Sequence, residues 1–197
     1  MANARFEYRP WVWAGGLALL LLLMQIGGEA VQWALRLDAA ALSRGQWWRF
    51  PTAHLVHLGW THAALNAAGV MVCCALSPAL FDDRLPWRVG ALAVGISLCL
   101  WGFSPGMLPY VGFSGVLYGL FVLGLAPQAW RRDPYATTAL GLITIWMLWQ
   151  WGAGPIGAEE RLIGGPIASV AHVYGYGLAA LYLLAKAGLK RWLATLL

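Results

Sequence analysis

Apolar residues occur along this chain in long runs that are separated by short polar or Pro/Gly-rich links. A helix needs about 20 mostly apolar residues to cross the hydrocarbon core of a bilayer. Irregular backbone is too costly there, because its polar groups lose their hydrogen bonds to water. The pattern therefore predicts an all-α membrane protein with six transmembrane helices, in a single domain over residues 1–197. The predicted helices cover approximately residues 11–34, 53–76, 87–103, 114–129, 135–151 and 167–187.

The first apolar run follows two arginines and has an alternative interpretation as a signal peptide. The apolar part of a signal peptide is about 7–15 residues long. This run continues to about Ala34, which favours a helix that is retained in the mature protein.

Lys and Arg residues divide unequally between the two sides of the predicted bundle. Cytoplasmic loops of membrane proteins carry an excess of these residues. Nine lie at the termini and in the links after helices two and four, whereas four lie in the other links. The nine are Arg5, Arg9, Arg84, Arg88, Arg131, Arg132, Lys186, Lys190 and Arg191, and the four are Arg36, Arg44, Arg49 and Arg161. This distribution predicts that both termini are cytoplasmic and that the start of helix four lies near the outer face.

Composition supports a lipid-embedded chain and argues against several other classes. Hydrophobic residues make up 60% of the sequence and charged residues 11%, whereas soluble domains have about 45–50% and about 25%. The net charge of +5 is spread between apolar runs, which favours a role in topology over nucleic-acid binding. Cys73, Cys74 and Cys99 lie inside apolar runs without metal-binding spacing and are interpreted as packing residues.

Ser114 lies in the sequence Gly112-Phe113-Ser114-Gly115 at the predicted start of helix four. A serine becomes a nucleophile when a neighbouring base takes its proton. At a helix start it is surrounded by free backbone N–H groups, which can stabilise the oxyanion of acyl transfer. The alternative is that Ser114 is an ordinary helix N-cap.

His172 is the candidate base, because it lies near the start of helix six at a similar predicted depth. Small residues at four-residue spacing allow two membrane helices to approach closely. Such residues occur in both helices, at Gly115 and Gly119 and at Ala171, Gly175 and Ala179. A close crossing would bring His172 to Ser114, with Tyr118 one turn along helix four to stack on the imidazole. The alternative is that the helices simply pack and that His172 bonds to a carbonyl.

His62 and Asn66 are one turn apart in predicted helix two, and both can donate hydrogen bonds. With the backbone N–H of Ser114 they would form an oxyanion hole, although polar contacts between helices are an equally simple interpretation. His54 and His57 are interpreted as interfacial or structural. The three histidines match no metal motif, so no metal or other cofactor is predicted. No acidic residue lies in a predicted helix near His172, which favours a Ser–His dyad over a triad.

These motifs together resemble the rhomboid proteases, which have six core helices, a GxSG serine opening helix four, a histidine in helix six and an HxxxN motif in helix two. The chain also has the family's AHxxG motif at Ala171, His172 and Gly175. Trp48-Arg49 is similar to the rhomboid WR pair of the first outer loop. The resemblance implies an intramembrane serine protease whose substrate helix enters between helices two and five.

The short chain and compact first loop look like those of rhombosortases, a rhomboid subfamily. The motifs that carry this narrower resemblance are residues 44–49, 54–57, 112–119 and 171–175. It implies a multi-pass protein of the bacterial inner membrane, with its active site facing the periplasm. The substrates would be exported proteins with a C-terminal tail of a Gly-Gly motif, a transmembrane helix and a basic end. Two other classes are an inactive rhomboid-like protein that binds membrane helices, and a small transporter, which would require charged or broken helices at the bilayer midplane.

Overall fold

The computed structural model describes residues 8–194, except for the side chains of Lys190, Arg191 and Leu193. Arg5 and the side chains of Lys190 and Arg191, which contribute to the predicted topology, therefore lie outside the described part. The described chain is mostly helical and contains no strand, only an isolated bridge between Leu37 and Tyr110. Its α-helices are α1 Arg9–Ile26, α2 Gly28–Leu35, α3 Ala39–Ser43, α4 Arg49–Thr52, α5 Trp60–Leu76, α6 Leu85–Phe103, α7 Ser114–Ala129, α8 Pro134–Ala153, α9 Gly157–Ile163 and α10 Ser169–Ala194.

The first predicted helix, 11–34, is two helices in the structure. Gly28 has φ +57°, a conformation that side-chain-bearing residues rarely adopt. α1 therefore ends at Ile26 and α2 begins at Gly28. The continuous apolar run concealed this break, because a glycine inside an apolar segment does not alter its hydropathy.

The second predicted helix, 53–76, begins later than expected. α5 starts at Trp60, and its N-cap, Gly59, is extended. The preceding residues form turns, in which His54 bonds to the distant Gly112 and Ser97. These long-range bonds compete with helix formation, and spacing along the sequence does not reveal them.

Proline and aspartate define several of the helix starts. α1, α6 and α8 have Pro at their first or second position, where a missing N–H costs nothing. The side chain of Asp133 accepts hydrogen bonds from the N–H groups of Tyr135 and Ala136, which caps α8.

α7 lies at the centre of the packing and contacts α5, α6, α8 and α10. The core around it is built from small and branched residues such as Val116, Leu120 and Ile96, all fully buried. α1 packs on the far side of α5, with Ala14 and Leu21 buried. This arrangement holds the first turn of α7 between α5 and α10.

Two helices of the described chain are long and apolar enough to cross a membrane by length and hydropathy, Arg9–Ile26 and Leu85–Phe103. Trp60–Leu76 and Ser114–Ala129 are apolar but shorter. Six membrane crossings and the orientation of the termini therefore stay predictions. Many large apolar side chains nevertheless point outward, among them Trp87, Ile145 and Leu181.

Candidate active site

The loop before Ser114 is fixed by hydrogen bonds to both backbone groups of a single residue, Gly112. Gly112 has φ +126°, and its N–H donates to the carbonyl of Ala53 at 3.1 Å. The carbonyl of Gly112 accepts from the Tyr110 hydroxyl at 2.9 Å and contacts Nδ1 of His54 at 3.2 Å. A carbonyl cannot donate, so this nitrogen of His54 carries the proton. Gly112 is thus held from both sides, two residues before Ser114.

Ser114 is the first residue of α7, and Phe113 occupies the N-cap position. The Ser114 hydroxyl is therefore not an N-cap, unlike the alternative considered from the sequence. Its Oγ lies 2.8 Å from Nε2 of His172, which is within hydrogen-bonding distance.

The close crossing of α7 and α10 explains how these two side chains meet. A Cβ atom added at Gly115 would lie 2.8 Å from the carbonyl oxygen of Ala171, and one at Gly119 would lie 3.0 Å from that of Gly175. A Cβ at Gly175 would overlap the carbonyl of Gly115. The two backbones are in direct contact only because these side chains are absent.

Tyr118 stacks on His172 from the next turn of α7. The ring centroids are 4.5 Å apart, and the planes differ by 23°. Nδ1 of His172 is buried and has no hydrogen-bond partner within residues 8–194. The stacked ring therefore restrains the imidazole where a triad would use a carboxylate.

His62 and Asn66 are buried on the α5 side of the same cavity. The N–H of Leu58 donates to Nδ1 of His62 at 3.4 Å, so the ring proton of a neutral His62 belongs on Nε2. The ring lies against Gly112, where an added Cβ would be 3.1 Å from Nε2. Asn66 donates through Nδ2 to the His62 carbonyl at 3.0 Å and retains a second amide hydrogen.

A cavity of about 880 Å³ contains Ser114, His172, His62 and Asn66 in its wall. The rest of the lining is mostly apolar and comes from α5, α8, α9 and the link before α7. A second cavity of about 320 Å³ continues from Ser114 along α7 and α8, past Phe121 and Leu142. The reactive groups thus face a space large enough for an extended peptide.

The predicted supporting pair Trp48-Arg49 lies away from this cavity. The Arg49 guanidinium donates to the carbonyls of Trp33 and Arg36, both at 2.8 Å, and to Gln46. It thereby satisfies carbonyls at the end of α2. The Trp48 side chain is 53% exposed and is not part of the hydrophobic core. In this chain Arg49 anchors the first link through these hydrogen bonds, and Trp48 lies on the surface.

The other histidines and the cysteines are buried. His54 and His57 are almost fully enclosed, which agrees with the structural interpretation, and His57 packs edge-on against His62 with ring centroids 4.9 Å apart. Both ring nitrogens of His57 lack partners among the described residues. Cys73 and Cys74 are in the core and Cys99 is partly buried. Within residues 8–194, no group of three or more His, Cys, Asp or Glu residues could hold a metal ion.

Gln150 and Glu159 line the cavity, and sequence reasoning did not single them out. The sequence predicted no buried acidic residue to orient His172, and α9 carries the partly buried Glu159 into the cavity wall. Glu159 nevertheless bonds to Gln150 at 3.1 Å and not to His172. Gln150 was detectable as the one strongly polar side chain in the apolar run 135–151. Glu159 gave no comparable signal in its Gly-rich link.

Comparison with known proteins identifies the family of this chain. No curated protein matches it significantly. A family model described as Rhomboid domain matches residues 44–187, from the end of α3 to within α10. The matched range includes Ser114, His172, His62 and Asn66. The chain belongs to the rhomboid family, whose members are intramembrane serine proteases.

Proposed function

We propose that this protein is an intramembrane serine endopeptidase that uses Ser114 and His172 as a catalytic dyad. The observation that carries the proposal is the 2.8 Å contact between Ser114 Oγ and His172 Nε2 at the wall of a peptide-sized cavity. Membership of the rhomboid family supports the same chemistry.

Ser114 attacks the scissile carbonyl while His172 Nε2 accepts the hydroxyl proton. The imidazolium that forms is stabilised by the face of Tyr118, because an aromatic ring attracts a cation. His172 then protonates the leaving amine, and water releases the acyl group from Ser114. Transfer of the acyl group to an amine is the alternative last step.

The oxyanion is held by the N–H of Ser114, Nε2–H of His62 and the free amide hydrogen of Asn66. The first of these lies at the positive end of α7. The side-chain donors project from α5 on the facing wall of the cavity. Donors that are fixed before the reaction act strongly in a site with little water.

The substrate helix enters from the lipid between α5 and α8. α8 packs against α7 and α10 but has at most slight contact with α5. The second cavity, with apolar walls from α7 and α8, runs along α8 to Ser114 and supports entry beside this helix. Gly-rich substrate sequence suits entry, because glycine weakens a helix by about 1 kcal/mol relative to alanine.

The substrate class follows from the similarity to rhombosortases: exported bacterial proteins with a Gly-Gly motif, a transmembrane helix and a basic tail. The protein would span the inner membrane six times, with cytoplasmic termini and the cavity facing the periplasm. A general rhomboid protease with other transmembrane substrates is the closest alternative. An inactive rhomboid-like protein that binds membrane helices is the alternative from a different class.

Cleavage of a Gly-Gly-tailed reporter co-expressed in bacterial membranes tests the proposal. Ser114→Ala and His172→Ala should each abolish cleavage, whereas Ser43→Ala, an exposed serine that bonds only to the Ala40 carbonyl, should not. Mass spectrometry of the new C-terminus identifies the cut site and separates hydrolysis from transfer. Full cleavage by either dyad variant would exclude the dyad, and cleavage only of reporters that lack Gly-Gly would favour the general protease.

A further inference from the structure

The cavity wall carries one formal charge, and the proposed chemistry does not use it. Among the described residues that line the cavity, Glu159 is the only charged side chain. It has no ion pair with any Lys or Arg side chain that the structure describes; the ion pairs among these are Arg36–Asp38 and Arg88–Asp82. Its hydrogen bond comes from Nε2 of Gln150 at 3.1 Å and occupies one carboxylate oxygen.

Gln150 adds a second acceptor beside this carboxylate. The residue is only 4% exposed, and its Oε1 is buried without a hydrogen-bond partner in the described chain. A buried polar atom without a partner costs about 1–3 kcal/mol, so its retention needs an explanation. Its neighbour is a carboxylate, which also accepts and cannot donate when ionised. Gln150 therefore holds the carboxylate through Nε2, and the cavity meets this carboxylate with no cation to match it among the described residues of its wall.

We infer that Glu159 and Gln150 form a subsite for a cationic side chain, Lys or Arg, of the substrate near its scissile bond. This inference rests on the proposed function, because the subsite shares its cavity with Ser114 and His172. Lys and Arg carry only donors and a positive charge, which is what an unneutralised carboxylate in an apolar wall requires.

The position of the subsite indicates that its ligand is part of the substrate chain. Glu159 lies on α9, whose Leu162 and Ile163 also line the cavity. The carbonyl of Glu160 accepts the N–H groups of Gly164 and Gly165, and its side chain accepts from the N–H of Ile167. α9 is therefore tied to the link before α10, in which Ile167 is five residues before His172. A cation bound at Glu159 would hold the adjoining peptide segment beside the reacting pair.

Two fluorophosphonate probes measure this preference without knowledge of the natural substrate. One carries an alkylammonium tail and the other an isosteric neutral tail, and both label Ser114. In the wild-type protein, the ammonium probe should label about tenfold faster, which corresponds to about 1.4 kcal/mol. In Glu159→Gln the ratio of the two labelling rates, ammonium probe to neutral probe, should fall to about one, even if both rates change. Glu160→Gln is the matched control, since it removes a neighbouring charge outside the cavity wall and should keep the wild-type ratio.

A reporter series with one Lys or one Gln at successive positions around Gly-Gly then locates the cation in the substrate. Lys should lower KM at one position, and Glu159→Lys should reverse the preference towards Glu at that position. Equal labelling by both probes in the wild type, or an unchanged ratio in Glu159→Gln, would overturn the inference while leaving the dyad intact. If neither probe labels Ser114, the proposed function fails and the subsite with it.

Discussion

The helix pair α7–α10 and the helix pair α5–α8 both border the cavity, but their packing differs. α7 and α10 touch through backbone at Gly115, Gly119 and Gly175, with no space for a methyl group. α8 has at most slight contact with α5, and its Leu142 and Trp146, which line the second cavity, are exposed. The α7–α10 side of the cavity is closed by direct backbone contact, whereas the helices of the α5–α8 side hardly touch each other.

This difference matches two separate requirements. A nucleophile and its base must keep their geometry within a fraction of an ångström, which a backbone-to-backbone contact provides. A substrate helix must pass between other helices, which a weakly packed side allows. The two sides should therefore respond in opposite ways to substitutions that loosen or push apart their helices.

The largest effect is expected where a methyl group would separate α7 from α10. Gly175→Ala places a Cβ on the Gly115 carbonyl, so His172 must move away from Ser114. A displacement of about 1 Å costs about 100-fold in rate, and we expect a loss of at least that size in reporter cleavage. Gly177→Ala on the same helix has open space and is the control. Equal activity of the two variants would show that the tight contact is not needed.

A smaller effect is expected at the ring that restrains His172. Tyr118→Leu removes the stacked aromatic face and should lower kcat by about tenfold, since about 1.4 kcal/mol of cation–π stabilisation is lost with the imidazolium. Tyr118→Phe retains the face and should stay within about threefold of the wild type. The kcat values of the two variants, measured at saturating reporter, check this. Loss of activity in Tyr118→Phe would instead assign the role to the hydroxyl.

The smallest effect, and one of opposite sign, is expected on the weakly packed side. Thr144 of α8 and Tyr176 of α10 share a 2.9 Å hydrogen bond between their hydroxyls. Tyr176→Phe removes this tie, worth about 0.5–1.5 kcal/mol, and lets α8 move outward more easily. Cleavage of a transmembrane reporter should rise by about twofold, while labelling of Ser114 by a small fluorophosphonate should not change. A fall in cleavage would show that α8 must stay fixed.

Much of the α7–α10 side of the cavity could be predicted from the sequence. The spacing of Gly115, Gly119, Ala171 and Gly175 predicted a close crossing, and the structure places Ser114, Tyr118 and His172 together there. Local helical spacing is enough for such an inference, because residues four apart share a face.

Features that depend on contacts between residues far apart in the chain could not be predicted from the sequence. The break at Gly28 lies within an unbroken apolar run, and the bonds from His54 to Gly112 and Ser97 join residues 58 and 43 positions apart. Glu159 enters the cavity because α9 packs against α5, which a Gly-rich link does not specify in advance.

The reactivity of Ser114 towards a fluorophosphonate tests the central claim most directly. The wild-type protein in detergent or membranes should be labelled, and peptide mass spectrometry should place the adduct on Ser114. His172→Ala should reduce the labelling rate by at least about 100-fold, because the base that takes the proton contributes a factor of about 10²–10⁴. Labelling of Ser114 at the wild-type rate in His172→Ala, or an adduct on another serine, would contradict the account.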